Sequence, residues 1–264
     1  MNKTIKTIKG GVTKAISFKA AGAHVGLKRK RKDLAILSSD IACDYAATFT
    51  TSTAKAAPVV WNKNLLDQKK KIKGLVVNSG NANSCTGPQG LVHAGQMAQK
   101  VATMLGCRSD EILVSSTGII GVPLPIDAVL AGIETVAAEL GYEEEDGNHA
   151  ADAIMTTDSY NKQLALQFEI DGKTITMGAM AKGSGMLHPN MATMLSFITT
   201  DLSISALLLQ KALSESVSGT YNMISVDADT STNDMVVILA NGAAGNNTIE
   251  SEDENFELFC RALD

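Results

Sequence analysis

Residues 164–177 read Leu-Ala-Leu-Gln-Phe-Glu-Ile-Asp-Gly-Lys-Thr-Ile-Thr-Met and carry the strongest structural signal in the sequence. Apolar and polar residues alternate on both sides of Asp171-Gly172, which is the spacing of two half-buried strands. An Asp-Gly pair favours a tight turn with positive φ. The stretch therefore predicts a β-hairpin, and with it at least one antiparallel strand pair in the fold.

Apolar segments outside this hairpin predict further strands and helices. Runs typical of buried strands lie at 34–37, 75–77, 112–114 and 235–239. Segments with apolar residues at helical spacing lie at 91–105, 126–140 and 207–215. Pro88 precedes the first of these helices and Gly106 follows it, as is common at helix ends. Helices interspersed with strands predict a layered, mixed α/β (α+β) fold.

The composition is that of a globular protein with a sizeable core. The 264 residues are 45% hydrophobic and 19% charged, and the formal net charge is −5. An acidic balance provides no global positive field for nucleic acid or an anionic membrane. The basic runs 28–32 and 69–71 lack interleaved aromatics, so solvated turns are the favoured interpretation over nucleic-acid binding. We expect small-molecule partners, no nucleic acid and no membrane.

The termini and cysteines give expectations about location and covalent chemistry. Residues 1–11 mix lysines with isolated isoleucines and lack the apolar stretch of a secretory signal, and no window is long enough to span a bilayer. A cytoplasmic location is expected. Cysteines 43, 85, 107 and 260 lack the spacing of a metal site or a disulfide scaffold. Free, buried thiols and no metal are therefore expected.

Residues 182–197 read Lys-Gly-Ser-Gly-Met-Leu-His-Pro-Asn-Met-Ala-Thr-Met-Leu-Ser-Phe, a glycine-rich stretch before an apolar segment. Taken alone it predicts a loop before a buried strand, and the Walker spacing of a phosphate loop is absent. A Thr hydroxyl needs a base, and one solution places Thr at a new N-terminus where its own α-amine accepts the proton. An internal Thr reaches that state only by cutting its chain. The small Ala192 before Thr193 leaves room for such an attack, but Ala-Thr alone is too common to establish it.

Five segments, in the expected order, resemble the glutamate N-acetyltransferases, also called the ornithine acetyltransferase family. In that family the Ala-Thr bond within Met-Ala-Thr-Met-Leu is the self-cleavage site, which corresponds here to Ala192-Thr193. The segments are 78–87 (Asn-Ser-Gly-Asn-Ala-Asn-Ser-Cys-Thr-Gly), 115–121 (Ser-Ser-Thr-Gly-Ile-Ile-Gly), 155–158 (Met-Thr-Thr-Asp), 182–201 and 225–234 (Ser-Val-Asp-Ala-Asp-Thr-Ser-Thr-Asn-Asp). Ordered matches over nearly the whole chain make the resemblance specific.

The resemblance implies a fold and an activity. The fold would be the layered αββα sandwich of self-processing aminopeptidases and ornithine acetyltransferases. The activity would be transfer of an acetyl group from N-acetylornithine to glutamate through an acetyl-Thr193 intermediate, without a cofactor, and with acetyl-CoA as a second donor in some members. Residues 1–192 would form an α chain and residues 193–264 the first part of a β chain, both in one catalytic unit. Two of each chain would pair into a heterotetramer.

The resemblance also implies roles for individual residues. Thr117 and Gly118 would form the oxyanion hole through the Thr hydroxyl and a backbone N–H, whereas without the resemblance they would be a plain strand-to-turn transition. Lys182 would pair with a substrate carboxylate. The substrate-binding residues that the resemblance implies are Thr156, Thr157, Lys182 and Thr193. It leaves open which of the two neighbouring threonines makes the contact.

Other polar residues near these segments have simpler interpretations. The three asparagines within 78–87 are expected to bond turn backbone, as Asn in Gly-rich stretches commonly does. The three aspartates within 225–234 lack the Gly and the later Glu of a calcium loop, so structural pairing is favoured over metal binding. His188 lies near Thr193 in sequence, but a free α-amine makes a histidine base unnecessary.

The resemblance stops near the end of the chain. The part after Thr193 is shorter than family members carry, and a Glu, an Asn and a hydroxyl residue that would contact substrate there have no counterpart. Residues 256–263 have helical spacing without a cap, which indicates a truncated chain. Two alternatives therefore remain beside the transferase: an inactive fragment, and a self-processing aminopeptidase or amidase of related fold.

Overall fold

The computed structural model describes residues 4–185, 194–226 and 229–264. Its strands are β1 (Lys6–Ile8), β2 (Phe18–Ala23), β3 (Leu34–Phe49), β4 (Ile72–Asn81), β5 (Ile112–Ile119), β6 (Lys162–Ile170), β7 (Lys173–Lys182), β8 (Leu195–Thr200) and β9 (Met235–Ala240). Its α-helices are α1 (Ala57–Asp67), α2 (Gly87–Leu105), α3 (Ile126–Ala138), α4 (Glu144–Ile154), α5 (Ala206–Gly219) and α6 (Glu254–Leu263). Helices and strands therefore alternate along much of the chain.

The long strand β3 belongs to two sheets. Its first half pairs with β2 and β4 in the first sheet, ordered β2-β3-β4-β5, and its second half pairs with β9 in the second sheet, ordered β1-β6-β7-β8-β9-β3. The register shifts between Ser38 and Cys43, and such an irregularity lets a strand bend from one sheet into another. The pairs β4–β5 and β8–β9 are parallel, and the other pairs are antiparallel.

Three apolar clusters show how the layers stack. The central cluster combines both sheets, with Leu75 of the first and Phe197 of the second, and includes residues of α1 and α4. A second cluster packs α5 and α6 on the outer face of the second sheet, around Ile238. The third packs α2 and α3 on the outer face of the first sheet, around Val76. The architecture is an αββα sandwich, so the predicted fold class is confirmed.

The strongest local predictions are also confirmed. The hairpin is present as β6 and β7, and its turn residues Asp171 and Gly172 have φ of 53° and 70°, as a type I′ turn requires. The four predicted buried strands lie in β3, β4, β5 and β9, and the three predicted helices are α2, α3 and α5. Helix α3 ends at Ala138, earlier than the apolar pattern indicates, because Gly141 already pairs with Ala20 in a β-bridge.

The remaining fold-level expectations have mixed outcomes. All four cysteines are free, but only Cys43 is buried, and Cys85 is exposed, so the prediction of uniformly buried thiols is wrong. The run 69–71 forms a turn before β4 as predicted, with Lys71 paired to Asp44 at 2.6 Å. Within the described ranges, no helix combines the length and apolarity needed to cross a membrane.

Candidate functional site

The end of β5 carries the predicted oxyanion-hole pair. Thr117 is buried and Gly118 is exposed, so the pair lies where the strand leaves the interior. Gly118 has φ of 136°, and a Cβ there would lie 2.3 Å from the carbonyl carbon of Gly80 on the neighbouring strand β4. Only glycine fits, because the backbone angle and the space both exclude a side chain. A backbone donor beside a Thr hydroxyl is the arrangement that stabilises an oxyanion.

The second sheet brings Lys182 and Asp234 to one edge. Lys182 ends β7, whose neighbour β8 lies beside β9, and Asp234 directly precedes β9. The Oδ1 atom of Asp234 accepts a 3.0 Å hydrogen bond from the backbone N–H of Met194. The N–H of Met235 donates a 3.1 Å bond to the carbonyl of Met194. The residue that directly follows Thr193 is thus fixed against the start of β9.

Asn233 joins this edge to the oxyanion-hole strand. Its side chain is buried, and Nδ2 donates to the carbonyls of Ser116 at 2.9 Å and Ala82 at 2.6 Å. Both Nδ2 protons are therefore used, one on strand β5 and one on the residue that follows β4. Because Asn233 precedes Asp234 and Ser116 precedes Thr117, one side chain holds the two halves of the site together. Neither a sequence pattern nor the family resemblance predicts this role of Asn233.

The asparagines of segment 78–87 bond backbone carbonyls, as predicted. Nδ2 of Asn78 donates to the carbonyl of Asn81 at 2.8 Å, and Nδ2 of Asn81 donates to the carbonyl of Val122 at 3.1 Å. Nδ2 of Asn83 donates to the carbonyl of Gly90 at 2.9 Å. These bonds fix the turn after β4, beside which β5 ends.

Asp158 organises the loop that carries the predicted substrate threonines. Its buried carboxylate accepts from Nζ of Lys162 at 2.6 Å, from the N–H of Gly183 at 2.9 Å and from the N–H of Thr156 at 3.1 Å. Burial acts to raise the pKa of Asp158, but the bonds from Lys162, Gly183 and Thr156 outweigh it, and the pKa lies below its ordinary value. Thr156 is half-buried and Thr157 is exposed. Asp158 therefore ties this loop to the residue after Lys182.

Lys182 and Asp234 are both buried, interact electrostatically and have shifted pKa values. Burial lowers the pKa of Lys182 to about 8, against the opposing effect of Asp158 and Asp234. Burial raises the pKa of Asp234 to about 7, against the opposing effect of Ser231, the Met194 N–H and Lys182. Among the described residues, Oδ2 of Asp234 has no hydrogen-bond partner. This oxygen is thus available to a further donor.

The raised pKa of Asp234 gives a prediction about stability. A carboxyl group whose pKa is higher in the folded chain than in the unfolded chain makes the fold less stable as pH rises. For Asp234 the free energy of unfolding should fall by up to about 4 kcal/mol between its unfolded-state pKa, near 4, and its folded-state pKa, about 7. The amide side chain in the variant Asp234→Asn cannot ionise. The Tm of the variant, relative to that of the native protein, should therefore be higher at pH 8 than at pH 5. Thermal melts at both pH values measure this. The exposed Asp229→Asn is the control, and an equal gain there would contradict the assignment to burial.

The basic run 28–32 contacts the site. The prediction of a solvated turn is wrong for Lys28, which is half-buried, whereas Arg31 is exposed and also bonds the substrate loop. Nζ of Lys28 donates to the carbonyl of Met155 at 2.9 Å, and Nη1 of Arg31 donates to the carbonyl of Asp158 at 3.1 Å. The cause is Asp33, whose buried carboxylate accepts from the backbone N–H of Lys28 and draws the turn inward. Charge composition alone does not reveal such a buried acceptor.

Several predicted residues lie outside the described ones. These are the cleavage pair Ala192 and Thr193, His188, and Asp227, so their roles stay predictions. Asp229, within the described part, is exposed, whereas Asp234 bonds backbone as predicted. In the described ranges no group of three or more His, Cys, Asp or Glu side chains is arranged to hold a metal ion.

Comparison with known proteins identifies the family. The ArgJ family model matches residues 19–264. The arginine biosynthesis bifunctional protein ArgJ of Symbiobacterium thermophilum is 51% identical over 96% of this chain and 63% of its own length. The arginine biosynthesis bifunctional protein ArgJ 1 of Clostridium acetobutylicum is 51% identical over 98% of this chain and 64% of its own length. This chain therefore spans about three fifths of the length of these relatives.

Solved structures agree with the sandwich architecture. A crystal structure of the arginine biosynthesis bifunctional protein ArgJ from Bacillus halodurans matches at 37% identity and a TM-score of 0.70, over 73% of this chain and 100% of that one. Ornithine acetyltransferase from Mycobacterium tuberculosis, solved with ornithine, matches at 39% identity and a TM-score of 0.64, over 70% of this chain and 98% of that one. An aminopeptidase of the Ntn-hydrolase fold from Ochrobactrum anthropi matches at 12% identity and a TM-score of 0.60, over 99% of this chain and 85% of that one, which shows the fold alone. The chain belongs to the ArgJ family.

Proposed function

We propose that this chain carries the nucleophile and the oxyanion hole of an acetyltransferase of arginine biosynthesis, which moves an acetyl group from N-acetylornithine to glutamate. One observation carries the proposal. Asn233 bonds the carbonyl next to Thr117, and its neighbour Asp234 bonds the N–H of Met194, next to Thr193. The residue after the predicted nucleophile and the residue before Thr117 are thus bonded to two neighbouring side chains, Asp234 and Asn233.

The first proposed step is self-cleavage between Ala192 and Thr193. The Thr193 hydroxyl attacks the Ala192 carbonyl, the amide becomes an ester, and water hydrolyses the ester to leave a free α-amine and a free carboxylate. The extent of one structural match supports this. The Bacillus halodurans chain is matched in full by 73% of this one, and residues 1–192 make up the same share of the 264.

The second step is acetyl transfer in two halves. The Thr193 hydroxyl attacks the acetyl carbonyl while the α-amine, with an ordinary pKa of about 7.7–8.0, accepts the proton. Thr117 and Gly118 stabilise the oxyanion, and ornithine leaves as its nitrogen takes the proton. The α-amine of glutamate then attacks acetyl-Thr193 and N-acetylglutamate departs. Acetyl-CoA would enter the same intermediate, and the scheme uses no cofactor or metal.

The proposal assigns the remaining residues to binding and assembly. Lys182 pairs with a substrate carboxylate, and the loop of Thr156 and Thr157 supplies a hydroxyl contact. Residues 1–192 and the part from Thr193 onward act as α and β chains of one catalytic unit, and two of each form the heterotetramer.

Glutamate dependence tests the reaction. When the protein is incubated with N-acetylornithine, ornithine release should continue only with glutamate present, and N-acetylglutamate should form in equal amount, because water is a poor acceptor in this scheme. Chromatography of the amino acids measures both products. Sustained release without glutamate, with acetate as co-product, would favour the aminopeptidase or amidase alternative, which the shared Ntn-hydrolase fold motivates. An uncleaved chain without turnover would favour the inactive fragment.

A further inference from the structure

A lysine outside the matched segments borders the predicted oxyanion hole. The stem of Lys28 lies against Gly80, where an added Cβ would come within 3.1 Å of Lys28 Cγ. Gly80 is the strand partner of Gly118. The side chain therefore starts beside the backbone that forms the hole.

The ammonium end of Lys28 lies at the substrate loop. Nζ donates 2.9 Å to the carbonyl of Met155, the residue before Thr156. This bond uses one of the three N–H donors of an ammonium. Among the described residues no further acceptor is hydrogen-bonded to Nζ, so two donors remain for a ligand.

Lys28 is held in this place by its own loop. The buried carboxylate of Asp33 accepts from the N–H of Lys28 at 2.7 Å and from the N–H of Val25 at 2.7 Å. Arg31 fastens the same loop to the carbonyl of Asp158 at 3.1 Å. Binding by a prearranged side chain loses little conformational entropy.

Burial affects the charge of Lys28 and of Lys182. It lowers the pKa of Lys28 to about 8, against the opposing effect of Asp33, Asp158 and Asp152, and Arg31 adds to the shift. Lys28 is in turn one of the cations that lower the pKa of Lys182, after burial. Lys182 is buried and Lys28 is half-buried, and an ammonium group removed from water is stabilised when a carboxylate binds beside it.

We propose that Lys28, together with Lys182, binds the α-carboxylate that N-acetylornithine and glutamate share, an inference that rests on the proposed function. The reacting nitrogen and this carboxylate are attached to the same carbon. When the acetyl carbonyl lies at Thr117 and Gly118, the carboxylate therefore lies only a few bonds from the hole, and the stem of Lys28 packs on Gly80, the strand partner of Gly118. Lys28 is thus a binding residue that selects α-amino acids.

Ornithine and putrescine, which is ornithine without its carboxylate, test this as competitive inhibitors of transfer. Lys28→Met keeps the stem that packs on Gly80 and removes the charge. It should raise the Ki of ornithine and the KM of N-acetylornithine about 10–100-fold, the usual effect of a lost bond to a charged group, and leave the Ki of putrescine nearly unchanged. Lys28→Arg should restore part of the ornithine affinity. The exposed Lys30→Met is the matched control.

The outcomes separate this inference from the proposed function. If Lys28→Met raised the Ki of ornithine and the Ki of putrescine equally, or raised neither, the role of Lys28 would be overturned while the proposed function of the native protein would stand. A native protein that transfers no acetyl group would overturn both. Thermal melts identify a misfolded variant, and Lys28→Gln then gives the same comparison with a polar, uncharged side chain.

Discussion

Thr193→Ala is expected to remain one uncut polypeptide and to lose acetyl transfer by about 10⁶-fold, the effect of removing a hydroxyl nucleophile in a covalent mechanism. The loss should be this large because one hydroxyl first cuts the chain and then carries the acetyl group. Intact-mass measurement reports the cut, and steady-state turnover reports the transfer. The native protein should give two pieces divided between Ala192 and Thr193.

Two further variants sharpen this result. Thr193→Ser keeps a hydroxyl and should still cleave and turn over, at reduced rates. The exposed Thr174→Ala should behave as the native protein. Full transfer activity by a native chain that is still a single uncut polypeptide would refute the α-amine base, and with it the proposed chemistry.

Thr117→Ala should lower kcat about 10²–10³-fold with little change in Tm, because it removes one donor to the oxyanion and only a small side chain from a strand end. Ser115→Ala is the matched control. Ser115 lies on the same face of β5, and its hydroxyl is buried without a partner among the described residues. Its removal should leave kcat unchanged and should not lower Tm.

Steady-state kinetics and thermal melts read out both variants. An unfolded Thr117→Ala chain, judged by circular dichroism, would show that the side chain supports the strand rather than the reaction. A kcat equal to the native value would show that the Thr117 hydroxyl does not stabilise the oxyanion, and the Gly118 N–H would be the donor that the proposal retains.

Regular elements were predictable from sequence because their signals are local. Alternation around Asp171-Gly172 predicts the hairpin, and Pro88 with Gly106 delimits α2, since turn chemistry and helix caps act over a few residues. The bend of β3 between the sheets was not predictable, because it depends on which strands pair with each half.

The polar framework of the site was predictable only in part. The resemblance pointed to Thr117 and Gly118, and the structure supplies the steric reason for the glycine. Asn233 and Lys28 were missed or misjudged, because an amide or a lysine gains its role from partners far away in sequence. Ser116 lies 117 positions from Asn233, and Met155 lies 127 positions from Lys28.

The place of β8 and β9 in the second sheet bears on what a cut chain would look like. Strand β8 lies between β7 and β9, and β9 lies between β8 and β3, with six residue pairs joining β7 to β8 and six joining β3 to β9. If the chain is cut before Thr193, the downstream fragment is therefore hydrogen-bonded on both sides to strands of the upstream fragment. The cleaved protein should elute as one species from a size-exclusion column under native conditions, and its two fragments should separate only under denaturing conditions.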